Sequence, residues 1–332
     1  MIQKRRYIMR YAMAAAKPGG TDVIRKIELG AMSPSADEVL IRHDAIGLNF
    51  LDIYIRNGAY PWPVATDLVL GSEGAGVIEA VGSNVKGFAV GDRVGYTLAN
   101  GAYASHRLID AGYIVKLPND ISSELAAAIM LKGLTVAYLI HDSFRVESGQ
   151  AVLFHAAAGG VGLIAGQWLN ALGAKVIGTA GGADKCALAK ANGYHHVIDY
   201  KSADFEAEVM QLTDGKGVDV TYDSVGNDTM ARSLTSTRRH GTIIAFGQSS
   251  GPYLDFKITD LAKGSYKLSR PTLFHFVAER GWLETNATKL FTAVTDGTVN
   301  ISINQKYALE DVAKAHDALT GRATTGSTIL TI

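Results

Sequence analysis

The sharpest chemical motif in the sequence is Ala157-Ala158-Gly159-Gly160-Val161-Gly162. It follows a nearly continuous apolar run, Ala151 to Ala156, and opens a segment with helical spacing. The pattern is G-x-G-x-x-G with alanine in the first place. Gly159 and Gly160, lacking side chains, let the backbone approach a pyrophosphate, and Gly162 lets the helix pack closely on the strand. The helix N-terminus then points N–H groups and the positive end of its dipole at the phosphates.

The next strand decides which dinucleotide fits. NAD sites place Asp or Glu about 20 residues beyond the glycine turn, to hold the ribose hydroxyls. Here the strand ends in Thr179-Ala180-Gly181-Gly182, with no acid at its tip, and Lys185 follows in the first turn of the next helix. A 2′-phosphate needs a cation and room. This loop offers both, although Asp184 adjoins Lys185. NADPH is therefore the expected cofactor. Tyr200 ends the third strand beside the same pocket, and Asp199 before it is expected to turn its side chain away.

Other chemistries find less support. Gly247-Gln248-Ser249-Ser250-Gly251 matches the G-x-S-x-G nucleophile elbow, but that motif requires a helix directly after the serine, and Pro252 argues against one. His155, near the end of the first buried strand, reads as a packing histidine. The single cysteine, Cys186, excludes a disulfide within the chain and any zinc site built on several thiolates, and it suits a reducing, cytoplasmic setting. With 32 basic and 32 acidic residues, no net field draws the protein to nucleic acid or an anionic membrane.

The elements that must position these residues fall into two patterns. A chain of 332 residues with 36 glycines is long enough for two domains and rich in tight turns. The first third shows short strands: Tyr11 to Ala16 behind a basic tail (Lys4, Arg5, Arg6), Glu38 to Ala45, Leu68 to Val81 with glycine bends, and Asp92 to Tyr96. A helix is expected over Leu125 to Ile140. From Ala151 strands and helices alternate. The strands are Lys175–Thr179, His196–Ile198, Val218–Tyr222 and Thr242–Phe246. The helices are Val161–Leu172, Asp184–Asn192, Phe205–Leu212 and Asp228–Leu234. Such alternation defines an α/β fold with a doubly wound parallel Rossmann sheet. The tail, with a helix at Glu310–Leu319 and a strand at Ser327–Ile332, returns to mixed structure. The expected division is a Rossmann domain over 129–270, inserted into a mainly β domain made of 1–128 and 271–332.

Taken together, these residues resemble the quinone oxidoreductase and zeta-crystallin branch of the zinc-free medium-chain dehydrogenases/reductases. The likeness runs through Gly149-Gln150-Ala151-Val152-Leu153, the glycine turn, Gln167, the stretch Ile46 to Pro61, Leu131-Lys132-Gly133-Leu134-Thr135, Tyr222 to Gly226, Phe246-Gly247 and Arg322-Ala323-Thr324. Asn170 departs from the usual residue at its place in the signature. The resemblance implies that the β domain is chaperonin-10-like and catalytic. It implies that Gly181, Lys185 and Tyr200 surround the 2′-phosphate, that Gly160 and Val161 touch the pyrophosphate, and that Asn49, Asp52, Tyr54, Tyr60 and Thr135 line the nicotinamide and substrate cleft. Ser224, Phe246, Gly247 and Arg322 would complete the cofactor groove. Zinc-bearing relatives carry Cys and Gly-His-Glu where this chain has Asn49 and Gly71-Ser72-Glu73, so no metal is expected.

The implied activity is hydride transfer from NADPH to quinones, with Tyr54, Tyr60, Asn49 and Thr135 as neutral hydrogen-bond donors to the acceptor oxygen. An alkenal or enone C=C reductase would use the same groove. A non-catalytic, crystallin-like NADPH-binding protein is the reading from another class. The resemblance also implies a homodimer, joined through the sheet edge near Gly241 to Leu268.

Overall fold

The computed structural model describes residues 10–332, so the basic Lys4, Arg5 and Arg6 lie outside the described residues. The strands, in chain order, are β1 (Tyr11–Ala15), β2 (Arg25–Glu28), β3 (Glu38–Gly47), β4 (Leu68–Val69), β5 (Glu73–Val81), β6 (Arg93–Thr97), β7 (His106–Asp110), β8 (Ile114–Lys116), β9 (Ala151–Phe154), β10 (Lys175–Ala180), β11 (His196–Asp199), β12 (Val218–Asp223), β13 (Thr237–Ala245), β14 (Lys267–Ser269), β15 (Ile303–Ala308) and β16 (Ser327–Thr331). The helices are α1 (Phe50–Arg56), α2 (Ser123–Tyr138), α3 (Gly160–Ala171), α4 (Ala183–Ala191), α5 (Phe205–Leu212), α6 (Met230–Ser236), α7 (Leu273–Val277), α8 (Arg280–Thr295) and α9 (Val312–Thr320).

The chain forms two units. The first holds the described residues through Leu131 together with Val277–Glu284 and Ile303–Ile332. Its larger sheet runs β15-β16-β3-β5-β6-β8, with β7 also paired to β3, and a small antiparallel sheet runs β2-β1-β4. Here alternation sets the faces: in β3 the apolar Val39 and Ile41 are fully buried while Arg42 and Asp44 lie between them and Ile46 at the surface side. Their apolar side chains join Ile46, Leu48, Tyr96, Tyr103 and Leu330 in one core.

The second unit comprises Lys132–Phe276 and Thr285–Ser302. Its sheet is parallel throughout, in the order β11-β10-β9-β12-β13-β14. The central strand β9 is a continuous apolar run because helices cover both faces of such a sheet. Val152, Leu153 and Phe154 are accordingly buried to 1% exposure or less.

Several expected boundaries shift. Leu68 to Val81 is two strands, broken at Gly71, where φ is +89°. Residues 271–276 and 285–302, assigned from sequence to the first unit, fall in the second. Local contacts explain it: Phe276 stacks on Tyr138 at 4.8 Å, and the Asn300 backbone N–H donates to Gln167 at 2.7 Å. The helical segment Ser123–Ser143 is long enough for a membrane span and contains an 18-residue stretch of mean hydropathy 1.5, but 78% of that stretch is buried within the protein, as in a core helix.

Candidate active site

In the second unit the glycine turn lies where β9 hands the chain to α3. Ala156 turns the corner at φ +55°, a left-handed conformation costing a residue with a Cβ about 1 kcal/mol. The Ala157 N–H donates to the Thr179 carbonyl at 3.0 Å, which ties the turn to the end of β10. A Cβ on Gly162 would lie 2.5 Å from the Ala156 carbonyl oxygen and 2.6 Å from that of Ala157, so only glycine lets the helix start here. Gly159 caps α3 with no side-chain hydrogen bond. The N–H groups of the first turn therefore present an anion site without a competing carboxylate. Gly160 and Val161 are the first two residues of α3.

The loop after β10 is bounded by β11. A Cβ on Gly181 would lie 2.5 Å from the Tyr200 hydroxyl and 3.3 Å from Lys201 Cε, so Gly181, Tyr200 and Lys201 converge. Lys185 is half-buried in the first turn of α4. Lys201 had no role in the sequence reading; its place one residue beyond Tyr200 was the signal. Asp199 corrects an expectation. Its side chain turns onto the loop, where Oδ1 accepts from the Gly182 N–H at 2.9 Å and from Lys201 N–H at 3.0 Å. Exposed backbone donors at the end of a strand need an acceptor, and this carboxylate is adjacent. Those bonds hold its pKa below the ordinary value.

A third side of this unit's site rests on Asp223. Its carboxylate accepts from Val225 N–H (2.8 Å), Gly226 N–H (3.0 Å), Thr229 Oγ1 (2.8 Å) and Ser233 Oγ (2.7 Å). This sets the Ser224 turn, and the Ser224 carbonyl in turn accepts from Ser249 N–H at 3.1 Å. Gly247 packs against Ser224 so closely that a Cβ would lie 2.7 Å from that carbonyl oxygen. Phe246 stands 5.6 Å, ring to ring, from Phe154. His155 is fully buried, with Nδ1 2.8 Å from Thr179 Oγ1 and Nε2 3.0 Å from Ser233 Oγ. Burial lowers its pKa, and both ring nitrogens are engaged, so it ties strand ends together. Ser249 sits in a turn with no helix behind it, so the elbow motif has no counterpart in the fold. Thr135 also belongs to this unit and is buried on α2.

In the first unit, Asn49 caps α1, a helix the sequence reading did not resolve because its seven residues fall within a single matched stretch. Asp52 holds the cap: Oδ2 accepts from the Asn49 N–H at 2.9 Å and from the Tyr103 hydroxyl at 2.8 Å, while Oδ1 accepts from Ser72 Oγ at 2.7 Å. Asp52 is wholly buried. Its carboxylate serves the start of the helix. Behind Tyr103, His316 Nε2 lies 2.9 Å from the hydroxyl, and Arg56 Nη1 donates to His316 Nδ1 at 3.3 Å. Burial, then the Asp52 charge, raise the Tyr103 pKa well above its ordinary value, and burial, then Arg56, push His316 down to about 3. On the exposed side of α1, the rings of Tyr54 and Tyr60 meet at 5.4 Å, and the Tyr60 N–H donates to the Tyr54 carbonyl at 2.9 Å. Both residues are half-buried. Arg322 is exposed just beyond α9, with φ +57°.

A parallel nucleotide sheet with a glycine turn, joined in one chain to a β domain of this pattern, defines a medium-chain dehydrogenase/reductase. The alcohol dehydrogenase GroES-like domain family matches residues 35–119, and the zinc-binding dehydrogenase family matches 160–279. The quinone oxidoreductase of Pseudomonas aeruginosa is 44% identical over 94% of this chain and 96% of its own. A 2-haloacrylate reductase from Burkholderia is 40% identical over 97% of this chain and 99% of its own. The crystal structure of Escherichia coli quinone oxidoreductase complexed with NADPH superposes with a TM-score of 0.94 at 42% identity, covering 97% of this chain and 100% of that one. The chain belongs to the quinone oxidoreductase family.

The name of one matching family implies zinc, and the donor set does not fit that metal. Asn49 and Ser72 offer an amide and a hydroxyl committed to carboxylates, and among the described residues no group of three or more His, Cys, Asp or Glu side chains could hold a metal ion. The dinucleotide fits: an uncapped α3 terminus that opens on Gly159 and Gly160, with no acidic side chain in its first turn, is what a pyrophosphate needs.

Proposed function

We propose that the protein is an NADPH-dependent, zinc-independent quinone oxidoreductase. The observation that carries this reading is the phosphate turn at α3 followed by a second strand whose tip carries no acid. NADPH, when bound, supplies hydride. Gly160 and Val161 would hold its pyrophosphate, and Gly181, Lys185 and Tyr200 its 2′-phosphate. Lys201 joins them as a second cation. Ser224, Phe246, Gly247 and Arg322 would complete the groove.

The quinone carbonyl oxygen gains charge as the ring is reduced, and neutral donors suffice to stabilise it. Tyr54, Tyr60, Asn49 and Thr135 are proposed for that task. Quinones are reactive acceptors, which is why no shifted acid–base pair is required. The similarity to a 2-haloacrylate reductase makes activated C=C bonds the comparison of interest. NADPH oxidation with benzoquinones, naphthoquinones, enones and 2-haloacrylates separates the readings. Efficient enone turnover without quinone turnover would overturn the proposal, and nucleotide binding without turnover would favour the crystallin-like reading.

Zinc-independence rests on the donor set described above. Activity lost to a chelator and restored by zinc would contradict it. The single thiol, Cys186, supports a cytoplasmic setting. A homodimer is supported by β14 at the edge of the parallel sheet and by Leu254 and Ile258 before it, exposed to 83% and 74%. A monomer mass by sedimentation would refute it.

A further inference from the structure

Glu73 begins β5 with no exposed surface, and no part of the mechanism above uses it. Its two oxygens point to two different donors. Oε2 accepts from Asn49 Nδ2 at 2.9 Å, and Oε1 accepts from the Leu131 backbone N–H at 2.7 Å. Gly47, two residues before Asn49, makes the room: a Cβ there would collide with Glu73 Oε2 and with the Ala127 carbonyl. The neighbouring Ser72 holds Asp52, which holds the Asn49 backbone N–H. Asn49 is thus gripped from both sides, its main chain through Ser72 and Asp52 and its side chain by Glu73.

We propose that Glu73 is a positioning residue that fixes the plane of the Asn49 amide, so that the second Nδ2–H keeps one direction as a hydrogen-bond donor to the substrate. This rests on the reading that Asn49 faces the acceptor. The chemistry requires a group that only accepts. Glutamine has the same shape, but with its carbonyl oxygen on the Leu131 N–H its NH2 faces Asn49 Nδ2, and Asn49 escapes that donor–donor contact only by turning its amide over, which carries its N–H donors out of their direction. Where zinc-bearing relatives keep metal ligands, this chain has a hydrogen-bonded clamp.

A mutant cycle on kcat tests it, with NADPH and a benzoquinone as substrates. Asn49→Ala is expected to lower kcat by roughly tenfold or less, and Glu73→Gln by a similar factor with KM for NADPH within about twofold of the parent. The double variant is expected to be no slower than Asn49→Ala, because Glu73 acts through Asn49. Factors that multiply, or an unchanged kcat in Glu73→Gln, would overturn the positioning role. An unchanged kcat in Asn49→Ala would remove the catalytic reading of Asn49 and the positioning role with it. Stability supplies a readout independent of turnover. Glu73→Gln should lower Tm, and the double variant Asn49→Asp/Glu73→Gln should recover it. In that swap the introduced glutamine donates its NH2 to the introduced aspartate, while its carbonyl oxygen still accepts from the Leu131 N–H. A swap that recovers nothing, or that fails to fold as Glu73→Gln does, counts against the pair.

Discussion

Asp199 Oδ1 accepts a hydrogen bond from the Gly182 N–H at 2.9 Å, so the acid that closes β11 supports the loop proposed to take a 2′-phosphate. Support and charge act in opposite directions there. Asp199→Asn keeps the acceptor oxygen and removes the negative charge, and should tighten NADPH binding roughly two- to fivefold. Asp199→Ala removes the acceptor and frees two backbone donors, and should weaken it by about tenfold. Titration of both variants with NADPH and NADH decides the matter. If alanine tightens NADPH as asparagine does, the loop needs no such support.

Arg322 makes a second pair of effects with opposite sign. Its φ of +57° is a conformation glycine adopts freely, while other residues pay about 1 kcal/mol. Arg322→Gly should therefore raise Tm by a few degrees or less, yet weaken NADPH binding if the guanidinium serves the cofactor. A variant that loses stability and keeps its affinity would remove Arg322 from the groove.

Lys185 is the residue that the acid-free strand tip first singled out. Lys185→Ala should weaken NADPH binding by about 1.5–3 kcal/mol, the usual range for a charge-assisted contact, and hardly change NADH. Equal loss for both nucleotides would show that Lys185 supports the fold of α4 and not the phosphate.

Much of this was legible in sequence, and the reasons differ between the units. In the second unit the apolar runs, the glycine turn and the acid-free tip at Gly181 follow from local rules, and β9 to β12 appear within two residues of their expected places, while β13 starts at Thr237 and not at Thr242. In the first unit the cap of α1 depends on Asp52, Ser72, Tyr103 and His316, which are far apart in the chain. No spacing rule joins His316 to Tyr103. For the same reason nothing in the stretch between Asn49 and Tyr54 shows that three donors hold the Asp52 carboxylate. Asp199 is oriented by the backbone donors of the turn beside it, which a count of charges along the sequence does not reveal.

The buried histidines imply acid lability. His316 is held at about 3 and His43 at about 4, both chiefly by burial; His43 Nδ1–H donates to the Ala104 carbonyl at 2.7 Å and Nε2 accepts from Tyr96 at 2.7 Å. Both values lie below the unfolded 6.5, so as pH falls below 6.5 the unfolded chain takes up protons that the folded protein refuses. Stability is then fully present above about pH 6.5 and falls with decreasing pH toward about 4, by roughly 1.4 kcal/mol per pH unit for each such histidine. Denaturant unfolding at several pH values measures the slope. His316→Gln should make it shallower between about pH 6.5 and 4. An unchanged slope would show that other groups carry the acid response.

The Tyr54–Tyr60 ring pair separates packing from hydrogen bonding in the proposed reaction. The Tyr60 backbone is tied to Tyr54 at 2.9 Å and the rings meet at 5.4 Å, so Tyr60→Phe keeps the surface and removes only the hydroxyl. Loss of an oxyanion-hole donor in a demanding acyl transfer costs on the order of 100-fold or more in kcat, because charge there is concentrated on one oxygen. A quinone spreads its developing charge over a conjugated ring, and several donors share the load. Tyr60→Phe should therefore lower kcat with a quinone by about tenfold or less, leaving KM for NADPH unchanged. Tyr60→Ala should cost more, since Tyr54 then loses its packing partner. Equal rates for the phenylalanine and alanine variants would show that the ring contributes nothing, and a parent-like Tyr60→Phe would reduce Tyr60 to a wall of the cleft.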